Sequence, residues 1–435
     1  MINLFALSII TSANAYTLIR EVTDISEISE LVKTYCSEME IPFPVEEYQQ
    51  RVTKVKQAMA KQGIALLYCT APETLFYLVG YQNSWYQAQS PKEWQQLSGV
   101  VIAANERTPI FFDREEEEVL VHNHCVGCDV RMYRPKAGIS QLEFIVKKLK
   151  DEGWLKGKVA LEKWSYLPNP AISQMLQCAF EGEGCEVVDG TDIVRELRAV
   201  KSPLEMGYVR TAARIADIGM QAAIEHIRPG MTELDVKAEM DYACAKAGGE
   251  IAGLPTYVNA GRRSAQIHTL ASRHKVMPGD IVQLDLCGVY NRYHVDVARS
   301  VSIGEPDPDV ARWIELSANA FPVLMKVMKP NCRVSEVNRA VEQYYKEVGI
   351  WESRWWIGGY DLGIAFPPDW VGVFQYSEGE SSERVFVPGT VVNYESDFYL
   401  PKSAGLSAIM DTIVIDEEKA ELLSRIPQKL IVVEG

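Results

Sequence analysis

No stretch of this sequence approaches the roughly 20 apolar residues that a membrane-spanning helix requires, and basic residues are outnumbered, 44 against 59 acidic ones. The first absence excludes a transmembrane helix. The second gives a formal net charge of −15, a field that repels polyanions, so nucleic acid and anionic membrane surfaces are poor partners and a small molecule is the better one. Internal repeats and low-complexity segments are also missing. The nine cysteines are odd in number and scattered, which is no disulfide framework and fits a reducing cytoplasm. An apolar stretch at residues 4–15 ends in Ala13-Asn14-Ala15, a small-x-small pattern, but it lacks the basic segment of a signal peptide, and residues 1–43 read as an N-terminal extension.

What the chain does contain is 47% hydrophobic and 24% charged residues over 435 positions, enough for two globular domains. From 44 to 198 helical spacing, as at 48–63, alternates with short apolar runs at 64–68 and 99–102, an α/β pattern. The acidic run from Glu115 to Glu118 reads as a solvated helix start. His122, His124, Cys125 and Cys128 form a possible zinc string, but four ligands so tightly spaced rarely reach tetrahedral geometry, and no second ligand cluster accompanies them. Lys201-Ser202-Pro203-Leu204-Glu205 marks a junction: Ser202 can cap and Pro203 can open a helix running to about His226. A second helix starts near Thr232. Strands follow at 281–286 and 295–303, with Asn291 in the turn between them. Helices are expected at 308–328 and 335–348, and strands at 390–394 and 412–415. Helices over an antiparallel sheet give an α+β domain at 199–435.

The chemistry concentrates in that second domain. Asp285 and Asp296, eleven residues apart on adjoining strands, can face one another across a hairpin. The pattern Gly279-Asp280, Asp285, Gly288, then Asp296 and Arg299, resembles the creatinase/aminopeptidase P/prolidase family, whose catalytic domain has the pita-bread fold. Further blocks lie in order: His268, seventeen residues before Asp285; Gly359-Tyr360-Asp361-Leu362-Gly363; Glu395-Ser396-Asp397-Phe398-Tyr399; and Ala408-Ile409-Met410-Asp411-Thr412. The resemblance implies that Asp285, Asp296 and Glu395 occupy metal-ligand positions, and that His268 occupies that of a substrate-contacting histidine. It also implies a homodimer.

Tyr360 stands where the family's metallopeptidases carry a histidine, and Met410 where they carry a bridging glutamate. Without these donors the metal pair is expected to be absent, and no cofactor is expected. Three carboxylates would then repel one another, and Arg299, a shared proton or the substrate itself must compensate. A planar guanidinium or amidinium suits carboxylates. Gly359-Tyr360 with Pro367-Pro368-Asp369-Trp370, and Arg292-Tyr293-His294, resemble the metal-independent, ectoine-hydrolase-like branch of the family, although Asp285 and Asp361 depart from its pattern.

The expected chemistry is hydrolysis of a C–N bond in a small cationic amidine, guanidine or cyclic amide. His268 is the general acid and base, while Asp285, Asp296 and Glu395 hold the cation. Asp296 can instead attack directly, and both routes stay open. Tyr360 is expected to donate to the developing tetrahedral oxygen. Arg262, His294, Trp85, Tyr86 and Trp356 are candidate substrate contacts, the aromatic residues as faces for a cation. The alternatives are a lyase or residual-metal Xaa-Pro peptidase on the same scaffold, and a non-catalytic binding protein.

Overall fold

The computed structural model describes residues 41–87, 92, 95–135, 138–165, 168–377 and 383–435. The expected extension 1–43 lies outside them up to residue 40. Contacts divide the chain into two compact units, one ending at Thr191 and one spanning Asp192–Gly435.

The first unit is built around a six-stranded mixed sheet. Its elements are α1 (Val45–Lys61), β1 (Leu66–Cys69), α2 (Pro72–Val79), β2 (Gly99–Ala103), β3 (Ile110–Arg114), α3 (Glu118–His124), β4 (Asp129–Tyr133), α4 (Gln141–Asp151), β5 (Lys158–Leu161), α5 (Pro170–Gly182) and β6 (Glu186–Asp189). The strand order is β4-β3-β2-β1-β5-β6. Every residue of β1 and β2 is buried, as the unbroken apolar runs require of central strands. Helices α4 and α5 pack Ile145, Leu149, Ile172, Leu176 and Phe180 onto Leu66, Val101 and Val159. The acidic run forms a short turn, Glu115–Glu117, before α3. His122 reaches toward Glu118 at 3.9 Å. Cys125 is buried beside Cys128, and burial pushes its thiol well up. Among the described residues no three His, Cys, Asp or Glu side chains gather as metal ligands. Trp85 and Tyr86 lie in a turn of this unit, Trp85–Gln87, where Tyr86 is buried and its hydroxyl accepts from Gln87 Nε2 at 3.1 Å.

The second unit begins within α6 (Thr191–Arg198) and continues with α7 (Pro203–His226). Ser202 Oγ accepts from Glu205 N while Glu205 returns a bond to Ser202 N at 2.7 Å, a capping box with Pro203 at the first helical position. Then come α8 (Glu233–Lys246), β7 (Tyr257–Ala260), β8 (Ile281–Tyr290), β9 (Tyr293–Ile303), α9 (Pro308–Ala318), α10 (Ala320–Val327), α11 (Val334–Val348), β10 (Arg354–Tyr360), β11 (Gln375–Ser377), β12 (Val391–Tyr399), β13 (Leu406–Ile415), β14 (Ala420–Leu422) and β15 (Ile431–Val433).

The helix expected over 308–328 is two helices joined at Asn319. Pro322 has no N–H for the carbonyl of Ala318, so the chain restarts and places Pro322 in the first turn of α10. The β8–β9 hairpin is longer than the apolar runs suggested. Its two-residue turn uses Asn291 and Arg292, both at positive φ (46° and 63°), as a tight right-twisted hairpin demands.

Strand order β11-β10-β12-β13-β9-β8-β7 makes a sheet whose neighbours along that path are antiparallel. Helices cover one face. Gly288 shows how closely: a Cβ there would sit 2.1 Å from the Ala212 carbonyl oxygen on α7. On β12, Tyr394 and Phe398 join Phe321, Val341 and Tyr345 in the core. Asn393, Glu395 and Asp397 therefore point to the opposite face by strand alternation.

Candidate active site

That opposite face carries the site, and cross-strand register assembles it. Asp285 on β8 pairs with Ala298 on β9, Ala298 with Met410 on β13, and Met410 with Glu395 on β12. Beside this row lie Cys287, Asp296 and Asn393, then Tyr360 on β10. Residues distant in sequence meet because paired residues of an antiparallel sheet share a face.

Asp285, Asp296, Glu395 and Tyr360 are thus brought together as expected. Tyr360 Oη donates to Asp296 Oδ2 at 3.2 Å and accepts from Trp370 Nε1 at 3.0 Å. It also hydrogen-bonds Glu395. In this arrangement its single proton goes to Asp296, not to an open position where a substrate oxygen would develop charge. Asn393 Nδ2 bridges the same two groups, 2.8 Å from Asp296 Oδ2 and 2.7 Å from Glu395 Oε1. The Asn393 Oδ1 in turn accepts from Tyr360 N at 2.7 Å. Gly359 permits this approach of β10 to β12, since a Cβ there would lie 2.0 Å from the Asn393 carbonyl oxygen.

The carboxyls of Asp285 and Asp296 lie within hydrogen-bonding reach of each other, so a proton or a cation must offset their repulsion. Burial, followed by the charges of Asp296 and Glu395, holds the Asp285 carboxyl well above the usual range. Burial raises Asp296 to about 6 against the bonds from Asn393, Asp285 and Tyr360. Burial and then Asp296 raise Glu395 to about 8. Of the three compensations weighed from sequence, Arg299 is eliminated. It lies on the other face of β9, bonded to Asp411 Oδ2 at 2.7 Å and to the Met410 carbonyl at 2.6 Å.

His268 is exposed, its ring edge-on to Trp355 at 5.4 Å. The preceding Ile267 packs with Ala298, Ala408 and Met410, and Trp355 lies against the same group, so this segment borders the carboxyl row. Glu233, fully buried at the start of α8, anchors the segment: it accepts from Ala260 N, Arg263 Nε, Ser272 N and Ser272 Oγ at 2.8–3.0 Å. Arg263 is committed to that pair, while Arg262 is exposed on the turn Gly261–Ala265.

One expectation needs correction. His294 does not reach a substrate: it is fully buried, its Nδ1 bonds the Arg292 carbonyl at 2.9 Å, and its Nε2 accepts from Gly253 N at 2.9 Å. Burial and the Arg292 charge lower its pKa to about 3, so it is neutral and structural. It holds Gly253, where a Cβ would sit 2.0 Å from the Asp369 carbonyl oxygen, next to Trp370. Trp355 lies beside His268, and Trp356, half-buried, pairs across the sheet with Asp397 and so faces the same side as the carboxyl row. Trp85 and Tyr86 belong to the first unit.

Sequence reading missed Asn393, Asp397, Trp370 and Glu233. Period-two alternation from Glu395 would have found the first two. Trp370 sits in a loop, and only folding brings its indole to Tyr360.

Residues 207–417 match the model of metallopeptidase family M24, and residues 51–200 match the creatinase/prolidase N-terminal domain. The chain is 30% identical to the Xaa-Pro dipeptidase of Pyrococcus furiosus over 240 residues, 55% of this chain and 67% of that protein. It is 26% identical to the ectoine hydrolase of Halomonas elongata over 414 residues, 91% of this chain and 99% of that protein. The solved Xaa-Pro dipeptidase of Bacillus anthracis shares the fold with a TM-score of 0.74 at 22% identity, covering 89% of this chain and 100% of the other. With its creatinase-type α/β domain, its pita-bread sheet and these relatives, the chain belongs to the creatinase/aminopeptidase P/prolidase family of M24 enzymes.

Proposed function

We propose that this chain hydrolyses a C–N bond in a small cationic or zwitterionic amidine, guanidine or cyclic amide, and does so without a metal ion. The observation that carries the proposal is the set of donors on the carboxyl row. A metal pair needs lone pairs, whereas Asp296 and Glu395 here face the amide N–H of Asn393 and the hydroxyl of Tyr360. Met410 fills the position between Ala298 and Glu395 with a thioether. The donor set does not fit the metal pair of the family's peptidases.

Among the described residues, no lysine or arginine acts on Asp285, Glu395 or Asp397. An amidinium entering this face would supply the missing charge and N–H donors in the bidentate geometry that carboxylates favour. The alignment with the ectoine hydrolase over nearly the whole chain supports the same chemistry.

In this scheme Asp285, Asp296 and Glu395 bind and align the cationic carbon. Water adds to that carbon as His268 takes its proton, the C–N bond breaks, and the proton passes to the leaving nitrogen. In the covalent variant Asp296 adds to the carbon first, the C–N bond breaks as His268 protonates the leaving nitrogen, and water, giving its proton to His268, then opens the acyl intermediate and frees Asp296. Trp355 orients His268, and Glu233 holds the segment that carries it. A homodimer, in which Trp85 or Tyr86 acts in trans, belongs to the same proposal.

The dipeptidase relative supports a second reading, a peptidase on the same scaffold. Elemental analysis of the full chain, run beside turnover of ectoine, creatine, related amidines and Xaa-Pro dipeptides, separates the two. Chelator-resistant amidine or cyclic-amide turnover with far less than one metal per chain is expected. Near-stoichiometric zinc, manganese or iron with chelator-sensitive dipeptide cleavage would overturn the proposal.

A further inference from the structure

Asp397 is two residues beyond Glu395 on β12 and faces the same side of the sheet. It is fully buried, and neither carboxyl oxygen has a hydrogen-bond partner among the described residues. A buried carboxyl without partners is costly, so its presence asks for an occupant. Three further orphans lie on this face. Asp285 Oδ1 and Asp296 Oδ1 are unpartnered, and Gln283, two residues before Asp285 and fully buried, has neither amide atom satisfied. Across the sheet Asp397 pairs with the small Ala408 on β13 and with Trp356 on β10, and neither neighbour offers its carboxyl a hydrogen bond.

We propose that Asp397 is a specificity-determining residue, taking the N–H groups at the end of a planar amidinium or guanidinium that points away from Asp296. The inference rests on the proposed cation-binding function and adds the selection of planar, multi-nitrogen cations over single-nitrogen ones. Asp285, Asp296 and Glu395 hold the reacting carbon, and Asp397 reads the far side of the same group.

The test is calorimetric binding to the full-length wild type and to Asp397→Asn and Asp397→Gly, each first shown to keep the wild-type melting profile. The probes are acetamidine, guanidine, methylammonium and the neutral isostere acetamide. The wild type is expected to prefer acetamidine and guanidine. Both variants should lose about tenfold or more of that affinity and approach their weak binding of acetamide. If the wild type prefers neither cation over acetamide, the cation-binding function falls and this inference with it. If the wild type shows the preference and the variants keep it, Asp397 is not its source. Equal losses for acetamidine and acetamide would assign Asp397 a structural part and overturn the inference. Asp397→Gly is informative even if Asp397→Asn unfolds, because it removes the carboxyl without leaving a buried amide in its place.

Discussion

Tyr360 Oη lies 3.2 Å from Asp296 Oδ2 and takes the Trp370 indole N–H at 3.0 Å. Its hydroxyl spends its proton on the carboxylate and a lone pair on the indole. Tyr360→Phe would leave a buried indole donor unpartnered and remove one donor from Asp296. A loss of about 1–3 kcal/mol is expected for the unfolding of the second unit, read from denaturant melts, with a larger fall in turnover than Trp370→Phe gives. Equal, negligible effects would mean that the contact does nothing for Asp296.

Met410 sits in register between Ala298 and Glu395, where a carboxylate would bridge the row. The double variant Tyr360→His, Met410→Glu is expected to retain a divalent metal through gel filtration, measured by elemental analysis, and to lose amidine turnover. A double variant with the metal content of the wild type would count against the donor-set account of the site.

Glu395 carries a pH signature. Its native pKa of about 8 exceeds its ordinary 4.5, so between those values the native chain holds more proton than the unfolded one. Stability therefore falls as pH rises across that window, by up to about 1.4 kcal/mol per pH unit for one group, and levels off above about 8. Glu395→Gln should flatten that part of the profile in melts at pH 5, 7 and 9. An unchanged slope would show that Glu395 is ionised throughout.

His294 has the opposite signature. Its native pKa of about 3 lies below the ordinary 6.5, so the unfolded chain binds the extra proton between these values. Stability is lost as pH falls through that window. His294→Gln, which offers an amide to the same backbone groups, is expected to soften acid unfolding while leaving KM for the amidine substrate near the wild-type value. A large rise in KM would return His294 to the substrate.

His268→Ala is expected to lower kcat by about 10²–10⁴, whereas Trp355→Leu should act more mildly, through the orientation of His268. Glu233→Gln strips a buried carboxylate from Arg263 and from the segment leading to His268. It should cost about 3 kcal/mol of stability and lower kcat with it. Turnover by His268→Ala equal to the wild type would remove the imidazole from the mechanism.

Much of the architecture was legible in the chain. Ser202, Pro203 and Glu205 spell a capping box because capping depends on residues three apart. Asn291 marks the hairpin turn because few residues tolerate positive φ. The helix expected over 308–328 divides ahead of Pro322, whose missing N–H apolar periodicity does not register. At the site, Asp285, Asp296, Glu395 and Tyr360 were legible from motif order, and Asn393 and Asp397 were available from alternation.

Sequence by itself determined which side chains a strand presents to each face, where helices begin, and that two metal-ligand positions hold Tyr360 and Met410. These follow from local geometry, which fixes periods of two and 3.6 residues. Tertiary structure alone decided that Arg299 turns to Asp411 and away from the cluster, that His294 has no free nitrogen, and that Trp370 and Asn393 surround Tyr360. Those outcomes depend on which strands become neighbours and which loop crosses them. Contacts of that kind join residues far apart in the chain, and no local periodicity encodes them.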